Sequence, residues 1–256
     1  MMDLDLASVL VQWAAGGLFG LWVTGRHRVV GVGYGWLLRS TFAVLGAGGV
    51  AAGVANGDGG FGATLRDGAG VAMVLLAFVA LAISVRRRKE LARIPPVLDL
   101  VSAAAGLVAL LGAADVLGGP YALSAARLVI GAVFLGLVTD AMLLGHWYLV
   151  QPGLGREPLR EMVRLAAIAW PIQIAVLLVP TGMVSVMSGA IDDGYDGLLG
   201  WTWIVSSLTT IVLLGVTWLA LKEPMYSAVM AATGLLYLAI LTAFGTDVLA
   251  RAVLAS

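Results

Sequence analysis

Long uncharged apolar stretches recur along the whole of this chain, each near the length of helix that a bilayer requires. A hydrocarbon core about 30 Å thick takes roughly 20 helical residues. Reading the apolar runs between charged or Gly/Pro-rich breaks gives eight expected spans, at roughly 7–25, 37–56, 68–85, 96–117, 122–149, 162–188, 199–220 and 225–250. The runs are continuously apolar rather than alternating, which favours helices over the strands of a barrel. Composition agrees: 61% of the 256 residues are hydrophobic and 12% charged, where a soluble domain carries about 25% charged residues. The expected fold is an all-α, polytopic membrane helical bundle of about eight transmembrane helices. The start, MMDLDLASVL, is acidic and lacks the basic region of a secretory signal, so the first span reads as a retained helix.

Charge orients the expected bundle. Of fifteen basic residues, twelve fall in or beside the links after spans one, three, five and seven: Arg26, Arg28, Arg39, Arg86, Arg87, Arg88, Lys89, Arg93, Arg156, Arg160, Arg164 and Lys222. The other side holds Arg66, Arg127 and Arg251 together with Asp3, Asp5, Asp58, Asp67, Asp192, Asp193 and Asp196. The positive-inside rule then places both termini outside, and the tryptophans near the expected boundaries (Trp22, Trp36, Trp147, Trp218; Trp201, Trp203) fit that orientation. Thirteen arginines against two lysines, in an Ala-, Gly- and Val-rich chain, point to a bacterial source and a cytoplasmic (inner) membrane. The formal net charge is zero, so no nucleic-acid partner is expected.

The two halves, 1–120 and 121–256, echo each other. VLLAFVALA (74–82) matches VLLGVTWLA (212–220), AAAGL (103–107) matches AATGL (231–235), and ADVL (114–117) matches TDVL (246–249), all in the same order. With four helices in each half, such a repeat is parallel, about an axis along the membrane normal.

Chemistry-bearing residues are sparse. The segment TDAMLLGHWYLVQPGLG (139–155) places Asp140 and His146 near the inner end of span five. Residues six apart on a helix differ by about 240° in direction, so the two do not form a dyad. A charge at that depth is costly unless paired or facing water, and Arg39 and Arg164 are the expected partners of Asp140. His146, followed by Trp147 and Tyr148, reads as a residue of the interfacial aromatic belt. His27 also lies at an inner end, and the two histidines together are the one pair suited to a b-type haem, although no cofactor is expected. In span six, Pro171 and Pro180 flank Gln173 and precede Thr181, Ser185 and Ser188; with Ser206, Ser207, Thr209 and Thr210 they suggest a broken helix beside a polar cavity. Asp247 is expected to pair with Arg251, and Asp115 with Arg127. DDGYDG (192–197) reads as a solvated turn rather than a calcium loop.

Absences narrow the function classes. There is no cysteine, which removes disulfides, thiolate zinc, iron–sulfur clusters and covalent haem attachment. No phosphate-binding, dinucleotide, HExxH or nucleophile-elbow motif occurs, and an enzyme is not expected. The expected role is a non-catalytic multi-pass subunit or anchor of a larger bacterial membrane complex, of the respiratory or redox kind, with the lipid bilayer and other membrane subunits as partners. The alternatives are a small secondary transporter using Asp140 and a kinked span six, and a lipid- or quinone-handling protein using the inner cluster around His146. The residues that carry these readings are Asp140, His146, Trp147, Arg164, Gln173 and His27.

Overall fold

The computed structural model describes residues 5–86, 96–179 and 182–254. Within them the chain forms nine α-helices: α1 Leu6–Gly25, α2 Val32–Asn56, α3 Phe61–Arg86, α4 Val97–Val116, α5 Tyr121–Trp147, α6 Glu157–Leu178, α7 Gly182–Met187, α8 Leu198–Ala220 and α9 Tyr226–Leu254. Eight are long and apolar enough to cross a membrane, and no strand occurs among the described residues. This is a multi-pass membrane bundle.

Two kinds of boundary differ from the apolar-run reading, each for a physical reason. Helix α3 begins at Phe61 rather than near 68, because Arg66 and the neighbouring Asp67 continue the helix as a pair; the Arg66 guanidinium also reaches Asp58 (2.8 and 2.9 Å). A search that stops at charges stops short of charges that neutralise each other. The sixth span is also interrupted. Helix α6 runs through Pro171 but ends at Leu178, and Val179 is extended (φ −92°, ψ 146°). A residue before proline is pushed out of the helical region, and Arg127 of α5 donates to the freed carbonyls of Val176 and Val179 (3.0 and 2.8 Å). That use of Arg127 replaces the pairing with Asp115 expected from sequence. Pro180 and Thr181 lie outside the described residues, as do Asp3, Arg87, Arg88, Lys89 and Arg93.

The long helices pack in two closed sets of four. In the first, α1 meets α2, α2 meets α3, α3 meets α4, and α4 returns to α1. In the second, α5 meets α6, α6 meets α8, α8 meets α9, and α9 returns to α5. The sets join chiefly where α1 lies against α5. These two are the innermost spans: 72% of the most apolar window of each is buried, against 33% for α3, α6 and α8.

Small residues explain why α1 and α5 sit together. Gln12, Gly16, Gly20 and Thr24 recur every four residues and so share one face of α1. A Cβ on Gly16 would lie 1.8 Å from the Ala132 carbonyl oxygen, and one on Gly136 would lie 2.1 Å from the Gly16 carbonyl. The backbones therefore touch, the packing that lipid-embedded helices use where no hydrophobic force drives them together. Gln12 lies by Gly131, Gly16 by Ala132 and Gly136, and Gly20 by Asp140, so the two helices run parallel.

One end of the bundle is basic and the other acidic. At the basic end, α6 starts with Pro158 in its first turn, and Arg156 donates to the carbonyls of Pro224 and Met225 (2.6 and 2.9 Å), tying the α5–α6 turn to the α8–α9 turn. At the acidic end, the turn before α8 wraps the Asp193 carboxylate, which accepts the N–H groups of Tyr195, Gly197 and Leu199 (3.0, 2.8 and 2.9 Å). Desolvation acts to raise its pKa, but the backbone donors together outweigh that and hold it below the ordinary aspartate value.

Two outcomes follow from this packing. Gly136→Ala lowers the thermal midpoint of the detergent-solubilised protein by an amount corresponding to about 1–3 kcal/mol of overpacking. Gly215→Ala, where an added Cβ meets nothing within 4 Å, leaves it unchanged or slightly raised. For Asp193, a lowered folded-state pKa means that its stabilisation is present above the unfolded value and is lost as pH falls through the folded one. The midpoint difference between the wild type and Asp193→Asn is thus greatest near neutral pH and shrinks on acidification.

Candidate functional site

Two polar clusters lie toward opposite ends of the bundle, on either side of the glycine crossing. From the acidic end, Asp247 of α9 accepts the Gln12 amide of α1 (3.2 Å to each oxygen), the Gln173 amide of α6 (3.3 Å) and the Arg251 guanidinium (2.7 Å). Gln12, Gln173 and Asp247 are all buried. The carbonyl oxygens of both glutamines lack a hydrogen-bond partner. Gly131 makes room for this cluster, since a Cβ there would lie 2.4 Å from the Gln12 amide nitrogen. A cavity of about 310 Å³, walled by Ser124, Arg127, Leu177 and Arg251, reaches Asp247 from this end.

From the basic end, a smaller cavity of about 80 Å³ is lined by Tyr34, Arg39 and Asp99. Arg39 of α2 and Asp99 of α4 form a two-pronged buried ion pair, Nε to Oδ1 and Nη2 to Oδ2, both 2.7 Å. The Tyr34 hydroxyl donates to the backbone carbonyl of Asp140 (3.2 Å).

Asp140 itself is fully buried. It lies seven residues before the end of α5, about 10 Å along the axis. Neither carboxylate oxygen has a hydrogen-bond partner. Gly20 of α1 faces it, where a Cβ would lie 2.6 Å from Oδ2. The arginine partner expected from sequence is therefore not there: Arg39 is committed to Asp99, and Arg164 is exposed in a groove at the basic end. An isolated carboxylate in so dry a place costs several kcal/mol. The neutral acid, or the carboxylate with a bound cation, does not bear that cost.

The remaining sequence-predicted residues separate. His146 is exposed and its Nδ1 lies 3.4 Å from the Tyr237 hydroxyl of α9, whereas the Nε2 of His27 lies 2.7 Å from Glu161 of α6. The two histidines, considered together as haem ligands, thus have different partners on different helices. Trp147 packs on Gly33 and Tyr34 and donates to Gln151 (3.2 Å); the Gln151 oxygen accepts the Gly31 N–H (2.9 Å). That role is to fasten the end of α5 to the α1–α2 turn. Gln173 does sit in a buried polar cluster, and Asp247 does pair with Arg251.

Sequence reasoning missed Gln12, Tyr34 and Asp99. For Gln12 a signal existed: a lone amide within the apolar run of α1 needs a partner inside the bundle. Models of known protein families, curated proteins and solved structures gave no match to this chain.

Removing one member of the Arg39–Asp99 pair strands a buried charge. Asp99→Asn destabilises the bundle by about 3–5 kcal/mol, while the double replacement Arg39→Met/Asp99→Met recovers most of it. Unfolding of the purified variants in detergent reads both outcomes.

Proposed function

We propose that this chain is a small secondary transporter of a bacterial inner membrane that exchanges a monovalent cation for a proton, with Asp140 as the group that takes up and releases them. The observation that carries this reading is the fully buried Asp140 carboxyl with both oxygens unpartnered, held at the α1–α5 seam between polar clusters that open toward opposite ends. A structural ion pair would have used Arg39, which is taken by Asp99. One of the grounds for the subunit-or-anchor role expected from sequence, beside the missing enzyme motifs and short loops, was the scarcity of polar groups at depth. Buried Gln12, Thr139, Asp140, Gln173 and Thr210 weigh against that premise. Association with other membrane subunits is compatible with transport and is read by co-purification in mild detergent.

The same reading takes the two sets of four helices as a parallel 4+4 repeat, residues 1–120 and 121–256, with both termini outside. Their matching packing cycles and the parallel run of α1 and α5 support it, and the basic end then faces the cytoplasm. The glycine crossing is the barrier in such an arrangement, and rocking of one half against the other changes which cluster communicates with Asp140.

The test uses vesicles containing the purified protein, loaded with sodium and a trapped pH dye, then diluted into sodium-free buffer. Wild-type vesicles acidify internally faster than protein-free ones, and Asp140→Asn vesicles match the protein-free rate. Wild-type vesicles that behave as protein-free ones, or an Asp140→Asn rate equal to wild type, would contradict the proposal.

A further inference from the structure

A second concavity lies away from Asp140. At the basic end a groove of about 720 Å³ is walled by the α1–α2 turn, the first turns of α6 and the end of α8. Its charges do not cancel. Glu161 is occupied by Arg26 and by His27 (2.7 Å), and Glu157 by Arg160 (3.0 Å). Arg160 also donates to the Leu221 carbonyl (2.7 Å). Arg164 and Lys222 line the same groove, and their side chains make no hydrogen bond or ion pair among the described residues. Two cations are left over once the acids are satisfied.

The setting of those cations indicates what they meet. Arg164 follows Arg160 by one helical turn on α6, and Lys222 follows Trp218 by four residues beyond α8. Trp218 lines the groove, an indole at the position where amphipathic rings mark the bilayer boundary. Running from Arg164 along α6, Ile168 and Ile172 follow at intervals of four residues, are exposed and continue the face of Arg164 as an apolar stripe. A basic groove thus borders an exposed apolar face on which an acyl chain can lie.

We propose that this groove binds a phosphate-bearing anion, and that its occupant is the headgroup of an anionic phospholipid. The phosphate oxygens accept from Arg164 and Lys222, and the acyl chains lie against the exposed Ile168 and Ile172 of α6. The assignment does not involve Asp140, so its failure leaves the transport reading standing and the converse also holds.

Native mass spectrometry of the intact protein tests it, with phosphatidylglycerol and phosphatidylcholine of identical chains added in turn, and inorganic phosphate as a separate arm. The wild type retains one phosphatidylglycerol under conditions that strip phosphatidylcholine. In Arg164→Gln/Lys222→Gln that retention weakens roughly thirtyfold, the loss expected for two interfacial cations. Arg28→Gln, a neutralisation at the same end outside this groove's spare cations, leaves retention unchanged. Protection of the wild type by inorganic phosphate without lipid retention, lost in the double variant, keeps the phosphate chemistry but overturns the lipid as occupant. Equal retention of the two lipids, or a double variant that behaves as wild type, overturns the proposal altogether.

Discussion

Backbone contact between α1 and α5 at Gly16, Ala132 and Gly136 fixes the rest of the molecule. In lipid, apolar side chains gain little by leaving one hydrocarbon surface for another, so close packing of small residues has to bring central helices together. The contact joins the two sets of four and sets the parallel run of their first members. It also leaves no room for a side chain at the crossing itself. On the face of α1 that meets α5, Gln12 lies one turn before Gly16 and Asp140 one turn after it at Gly20, and beside that face the Trp13 indole donates to Thr139 (2.9 Å).

That arrangement governs the electrostatics. Near the basic end Arg39 and Asp99 satisfy each other across α2 and α4, and near the acidic end Arg251 and two glutamine amides satisfy Asp247. Asp140 is the described acid that is deeply buried and left without a donor. Its cost disappears when it holds a proton or a cation, which makes loading and release energetically consequential rather than incidental. The same logic at the membrane boundary leaves Arg164 and Lys222 as spare cations, where an anionic headgroup is abundant.

The bundle was legible because membrane helices must be long, apolar and internally hydrogen-bonded, and all eight long helices overlap apolar runs. Boundaries were less so: a run ends at Arg66 in one dimension, whereas the helix continues because Asp58 and Asp67 neutralise the arginine in three. Gln173 stood out beside two prolines, but its companions Gln12 and Asp247 come from the first and last helices, and nothing local announces that they meet. The partner of Asp140 was misassigned for a related reason. Arg39 lies at a suitable depth, yet Asp99, 60 positions further along the chain, competes for it with ideal two-pronged geometry. Depth can be read from sequence; which charges share a face across helices cannot.

Infrared difference spectroscopy of the purified protein in lipid tests the central claim most directly, by following the carbonyl stretch of a protonated carboxylic acid as pH and sodium are varied. A band that is present in the wild type, diminishes when the carboxyl is deprotonated or sodium replaces the proton, and is missing from Asp140→Asn is the predicted result. A spectrum in which Asp140→Asn removes no titrating or sodium-sensitive carboxyl band would contradict the account.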